Sequence, residues 1–137
     1  MNFLSKCVTM SFNDAATAAR ESLKRHQLSI LAEIDMRQAL RGALEIDFRP
    51  YLILSACSLP LAQRAIEADA TIGSILLCNV VVREDGGGRV ELSVVDPTCT
   101  LGAINNIELI SIARELHSLV RNSIDEIELR PGYHSAA

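Results

Sequence analysis

The chain has 137 residues, a formal net charge of −4, 49% hydrophobic residues and 22% charged ones. That is the length of one domain, enough to bury a core without disulfide or metal staples, and the composition excludes a disordered chain. A pI of about 5.3 with Lys and Arg scattered through the sequence excludes the basic stripe of a nucleic-acid binder.

Met1 to Met10 alternates and predicts a strand, with Leu4, Lys6, Val8 and Met10 on one side. Ser11 is an N-cap, with Asp14 three residues on. The helix it opens runs to about His26, its inner face Phe12, Ala15, Ala16, Ala19 and Leu23. Leu28 to Ile34 predicts a second strand and Met36 to Leu44 a short helix. Asp47 to Pro50 is a connector into a third strand, Tyr51 to Cys57, with Tyr51, Ile53, Ser55 and Cys57 on one face. Ser58 caps the next helix, Pro60 sits in its first turn, and it ends near Asp69.

Gly73 is expected to release the chain into a strand over Ile75 to Arg83, apolar on both faces and therefore central. Asp85-Gly86-Gly87-Gly88 is a hairpin signal, and Arg89 to Val95 the partner strand, closed by Asp96-Pro97. Asn105 with Glu108 caps a last helix, expected to present Ile107, Ile110, Leu116, Leu119, Val120, Ile124 and Ile127. Residues 1–130 form a single domain, and 131–137 a flexible tail. The order β-α-β-α-β-α-β-β-α predicts an α+β two-layer sandwich: about five strands, mixed or antiparallel, with helices packed on them.

Short pieces in this order resemble a known family. They are Ser11-Phe12 with Ala15, Glu33-Ile34-Asp35, Asp47-Phe48-Arg49-Pro50-Tyr51, Cys57 with Pro60 and Ala62, Ala65 with Glu67-Ala68-Asp69, Ile72-Gly73, Leu76 to Val82, and Asp96-Pro97. The chain is thus similar to the domain-of-unknown-function family DUF302 over most of its length. The family usually has Asn-Pro directly after the first cysteine and a proline just before the second; here Ser58-Leu59 and Leu77 stand there. The resemblance implies a small α+β fold and a homodimer, with no established activity.

Of four cysteines, Cys7, Cys57, Cys78 and Cys99, no two form a CxxC pair, which fits free thiols in a reducing compartment. Cys57 stands just ahead of a helix N-terminus, where a thiolate is favoured. With Cys78 it is either a redox, sulfur-handling or soft-metal site, or one of two buried small hydrophobes. Asn79 lies inside an apolar strand and must find a hydrogen-bond partner, in a ligand or in a neighbouring loop. Glu33, Asp35 and Asp47 with Tyr51 have the groups for acid–base work, or else cap turns and helices.

Metal-ligand spacing, a phosphate-cradling glycine loop and GxSxG are all missing, so no catalytic residue, cofactor or metal is assigned. The longest apolar run, Ile75 to Val82, is broken by Asn79 and too short for a bilayer, and the N-terminus lacks a signal-peptide pattern. The expectation is a cytoplasmic protein without membrane or nucleic-acid partners. A mean hydropathy of +0.22 and the broad face of the last helix favour either self-association or closure of one subunit's core. The reading that follows is a homodimeric module binding a small ligand or partner, its candidate residues Asp47, Tyr51, Cys57, Cys78 and Asn79. The alternative is a thiol-dependent redox or sulfur-handling protein using Cys57 and Cys78.

Overall fold

The computed structural model describes residues 2–127; the expected 131–137 tail lies outside them. Nine main elements follow one another: β1 (Phe3–Val8), α1 (Phe12–Arg25), β2 (Ser29–Asp35), α2 (Met36–Leu44), β3 (Tyr51–Cys57), α3 (Leu59–Ala68), β4 (Cys78–Glu84), β5 (Val90–Val95) and α4 (Ile107–Glu126). The five strands form one sheet in the order β1-β5-β4-β3-β2, every pair antiparallel. This is the expected α+β domain, and β4 is its central strand.

Side-chain alternation divides the sheet. Leu4 and Val8, Leu92 and Val94, Val80 and Val82, and Leu54 and Ala56 face the helices and are buried. The opposite face carries Phe3, Ser5, Cys7, Ser93, Asn79 and Ile53, half-buried or exposed. Alanines at 15, 16, 18 and 19 let α1 lie close on the sheet, and Ser11 caps it by accepting from the Asp14 N–H at 3.1 Å. Leu109, Ile112, Ala113, Leu116, Val120 and Ile124 seat α4 in the same core. Across the sheet's far edge, Lys6 donates from Nζ to the carbonyls of Asp125 and Ile127, at 3.2 and 2.6 Å, satisfying two groups at the end of α4.

The boundaries differ from the sequence expectations in four places. β1 is shorter, and Met10 plugs the core rather than extending the strand. Ile72–Ile75 is a 3-10 turn, so Gly73 does not open a strand, and β4 starts only at Cys78. The cause is local: the Asp69 carboxylate accepts from the Thr71 N–H and hydroxyl, and Ile72 turns inward, buried. Asn106, not Asn105, caps α4, accepting from the Leu109 N–H at 3.2 Å. The buried stripe of α4 is accordingly set by Leu109 and Ile112; Ile107 is 89% exposed. The hairpin is as expected, with the Gly88 N–H donating to the Asp85 carbonyl and Gly88 at φ +79°.

Candidate functional site

β3 carries the expected face: Tyr51, Ile53, Ser55 and Cys57 alternate along it, and β4 runs antiparallel beside them. Asn79 sits directly across from Ser55, and the Ser55 hydroxyl donates to Asn79 Oδ1 at 2.6 Å. Asn79 is exposed, on the sheet face away from the helices, so its partner is a neighbouring strand rather than a loop.

Cys78 pairs across with Ala56, so it points to the helix side with Val80 and Val82. Cys57, one residue on, belongs to the other side of β3. Both are buried and free. Burial pushes the Cys57 thiol up, and burial first, then a Cys57 thiolate's charge, pushes Cys78 up to about 12. Ser58 caps α3, its hydroxyl accepting from the Leu61 N–H at 3.4 Å, and Pro60 removes a donor from the first turn. The helix start thus offers little to a thiolate at Cys57.

Tyr51 lies at the opposite end of β3, six residues from Cys57, or about 20 Å at the usual rise per residue. The two do not share a site. Asp47 lies on the exposed connector, its side chain 85% exposed and ion-paired to Arg41. Glu33 is held by Arg20 through two hydrogen bonds of 2.8 and 2.9 Å, which draw its carboxyl below the ordinary range. Asp35 caps α2, accepting from the Gln38 N–H at 2.9 Å. The acids singled out in the sequence therefore hold helices and strands.

Three of the candidate residues border two separate hollows, and Asp47 and Cys57 line neither. Cys78 and Asn79 line a small one of about 210 Å³, with Ser74, Leu77 and Leu116. Tyr51 borders a larger cleft of about 710 Å³ under the N-terminal half of α1. Its floor is Phe12, Ala16, Pro50 and Leu52; its polar rim includes Asn13, Thr17, Arg20 and Arg37. A hollow of this size with an apolar floor and a few polar groups has the proportions of a small-ligand site. Of the cleft's lining, the sequence signals Tyr51 and Asp35. Asn13, Thr17 and Arg20 recur at i, i+4 and i+7 on the polar side of α1, a spacing open to reading, but nothing in the sequence showed that the sheet's end lay beneath it.

In the sequence Asp96-Pro97 marks only the end of a strand. Asp96 also caps a turn through the Thr98 N–H at 3.0 Å and hydrogen-bonds the His117 ring at 2.9 Å. Burial raises its carboxyl, but the bonds from Thr98 and His117 outweigh that and leave it below the ordinary value. Among the described residues, no group of three or more His, Cys, Asp or Glu side chains could hold a metal ion, and no helix is long and apolar enough to cross a membrane.

The family model for the domain of unknown function DUF302 matches residues 4–127. A crystal structure of an uncharacterized conserved DUF302 protein from Bacillus stearothermophilus is similar in fold, with a TM-score of 0.82 and 25% sequence identity, covering 91% of this chain and 97% of that one. No curated protein matches.

Proposed function

The chain belongs to the DUF302 family, and from that premise we propose that it is a homodimeric, cytoplasmic binding module holding a small molecule in the cleft under α1. The cleft of about 710 Å³ bordered by Tyr51 carries this reading. Its walls come from α1, α2, β3 and β4, so a ligand there would touch most of the sheet's end. Among the described residues no catalytic constellation accompanies it: Asp35 caps α2 and Glu33 pairs with Arg20, which leaves Glu84 as the one uncommitted acid of the lining. The thiol alternative is disfavoured because both buried thiols are pushed toward the protonated form.

An amide-resolved NMR titration of the full chain with a small-molecule fragment set tests the site. Saturable shifts should gather at Ser11 to Arg20 and Pro50 to Leu52, and Cys57→Ser with Cys78→Ser should leave them in place. Shifts gathered instead around Cys57 and Cys78, or lost in the serine variant, would sink this reading.

The dimer part rests on the β2–α2 corner. Leu31, Ile34, Leu44 and Ile46 are 55%, 43%, 59% and 46% exposed there. Two copies of this corner packed about a two-fold axis would cover Leu44 and Ile34 on both. Light scattering should give a dimer mass that Leu44→Glu with Ile34→Glu converts to monomer; a wild-type monomer at high micromolar concentration would refute it.

A further inference from the structure

Four charged residues line the large cleft: Arg20, Arg37, Asp35 and Glu84. Two are already committed. Arg20 spends Nε and Nη2 on Glu33, and Asp35 caps α2. The other two, the Arg37 guanidinium and the Glu84 carboxylate, meet no ion-pair or hydrogen-bond partner among the described residues. The uncommitted charges of the cleft are thus one cation and one anion.

Their placement follows from the sheet. Asp35 lies opposite Leu52 at the end of β2, and Arg37 follows it in the first turn of α2. Glu84 lies on the other side of β3, its N–H donating to the Pro50 carbonyl at 3.0 Å. Two strand spacings, about 10 Å, separate β2 from β4. Between them the floor is apolar, made by Pro50 and Leu52 with Phe12 above.

Resting on the cleft reading above, we infer that the ligand is a zwitterion of the amino-acid class, of about dipeptide size. Its carboxylate meets Arg37, its ammonium meets Glu84, and an apolar side chain covers Pro50 and Leu52. Two residues span at most about 7 Å, which fits a frame about 10 Å wide with side chains reaching in from both sides. Asn13, Thr17 and the Tyr51 hydroxyl, also without partners among the described residues, supply groups for a peptide amide. A nucleotide polyphosphate fits poorly, because it would lie against Glu84 and Asp35 with one free arginine to meet it. A simple monoanion would leave Glu84 unused.

The probe is L-leucylglycine, with its N-acetylated and C-amidated forms, titrated into the full chain and followed by amide NMR. The free dipeptide should give saturable shifts at Asn13, Thr17 and Leu52. Blocking either end should weaken binding about tenfold or more, since each removes one charge-assisted contact. Arg37→Gln should abolish the discrimination against the amidated form alone, and Glu84→Gln that against the acetylated form alone. Arg37 is exposed and Glu84 half-buried, and amide spectra retaining wild-type dispersion show that the fold is kept. Equal binding of free and blocked peptides overturns the inference. So does binding of other fragments in the cleft without binding of the dipeptide, an outcome that leaves the cleft reading standing. An absence of saturable shifts from any compound removes both.

Discussion

In α4 the residues at 109, 112, 113, 116, 120 and 124 are all buried, whereas in α2, a helix of nine residues, none is. Both helices are amphipathic, with apolar residues at helical spacing. The apolar stripe of α4 is covered by α1, α3, β1 and the turns that follow β5. That of α2, which lies against β2 and β3, ends at Leu44, 59% exposed. Amphipathicity therefore states that a face will be covered, and only the fold says by what. Where the covering is internal the helix adds to stability; where it is missing, the helix is available for binding.

The largest expected effect measures this difference directly. Ile112→Ala should cost about 2–5 kcal/mol, because it removes buried methylenes and leaves a cavity. Leu44→Ala in dilute monomer should cost no more than about 0.5 kcal/mol. Chemical denaturation with a common slope checks both. Losses of similar size would mean that α2 is packed as tightly as α4 and would erase the contrast.

Much of the packed half was legible. Alternation in Phe3–Val8 and Val90–Val95, the Asp85–Gly88 turn and the Ser11 and Ser58 caps are local signals, and local signals survive into the structure. The misses are non-local. Along α4 the expected Leu116, Val120, Ile124 and Ile127 are buried, but the first turns present Leu109 and Ile112 rather than Ile107 and Ile110, and two adjacent asparagines give no local basis for placing the cap. The side of the sheet to which Cys57 and Cys78 each belong was not legible, because it follows from register, and register depends on a partner strand. The cleft was invisible because its wall and floor come from segments far apart in sequence, Ser11–Arg20 and Pro50–Leu52.

Lys6→Met is expected next in size, at about 1–2 kcal/mol. The substitution keeps the aliphatic stem and removes two hydrogen bonds to the terminal carbonyls of α4. Equilibrium unfolding should show the loss, and amide exchange should rise first at 123–127. An unchanged midpoint would place the end of α4 outside the cooperative unit and narrow the packed half.

In acid the packed half should loosen through two carboxylates of its own. Burial raises the Glu126 carboxyl, but bonds from Arg25, His26 and Ser22 outweigh it and leave the group lowered; Asp96 is lowered on the same balance. A carboxylate depressed in the folded state contributes stability above its unfolded value of about 4, lost as pH falls through the folded one. Glu126 ties α4 to α1, and Asp96 ties it to the turn after β5. Glu126→Gln with Asp96→Asn should therefore lower stability at pH 7 and flatten its decline between about pH 5 and 2. An acid limb as steep as wild type's would show that other carboxylates carry it.

The smallest effect concerns α2 alone. Gly42 lies at the end of its second turn, and a Cβ built there meets nothing within 4 Å. Its φ is not positive, so alanine adopts the same backbone. Gly42→Ala should then favour the helix by about 0.5–1 kcal/mol, through propensity and a less disordered unfolded chain. Whether that gain appears in the global transition depends on coupling. If α2 unfolds with the core, the midpoint rises. If α2 opens on its own, amide exchange within Met36–Leu44 slows and the midpoint stays put. The second outcome is expected, since a helix with no buried residue has little to couple it to the core. A full rise in the midpoint would instead make α2 part of the cooperative fold, and a rigid rim of the cleft.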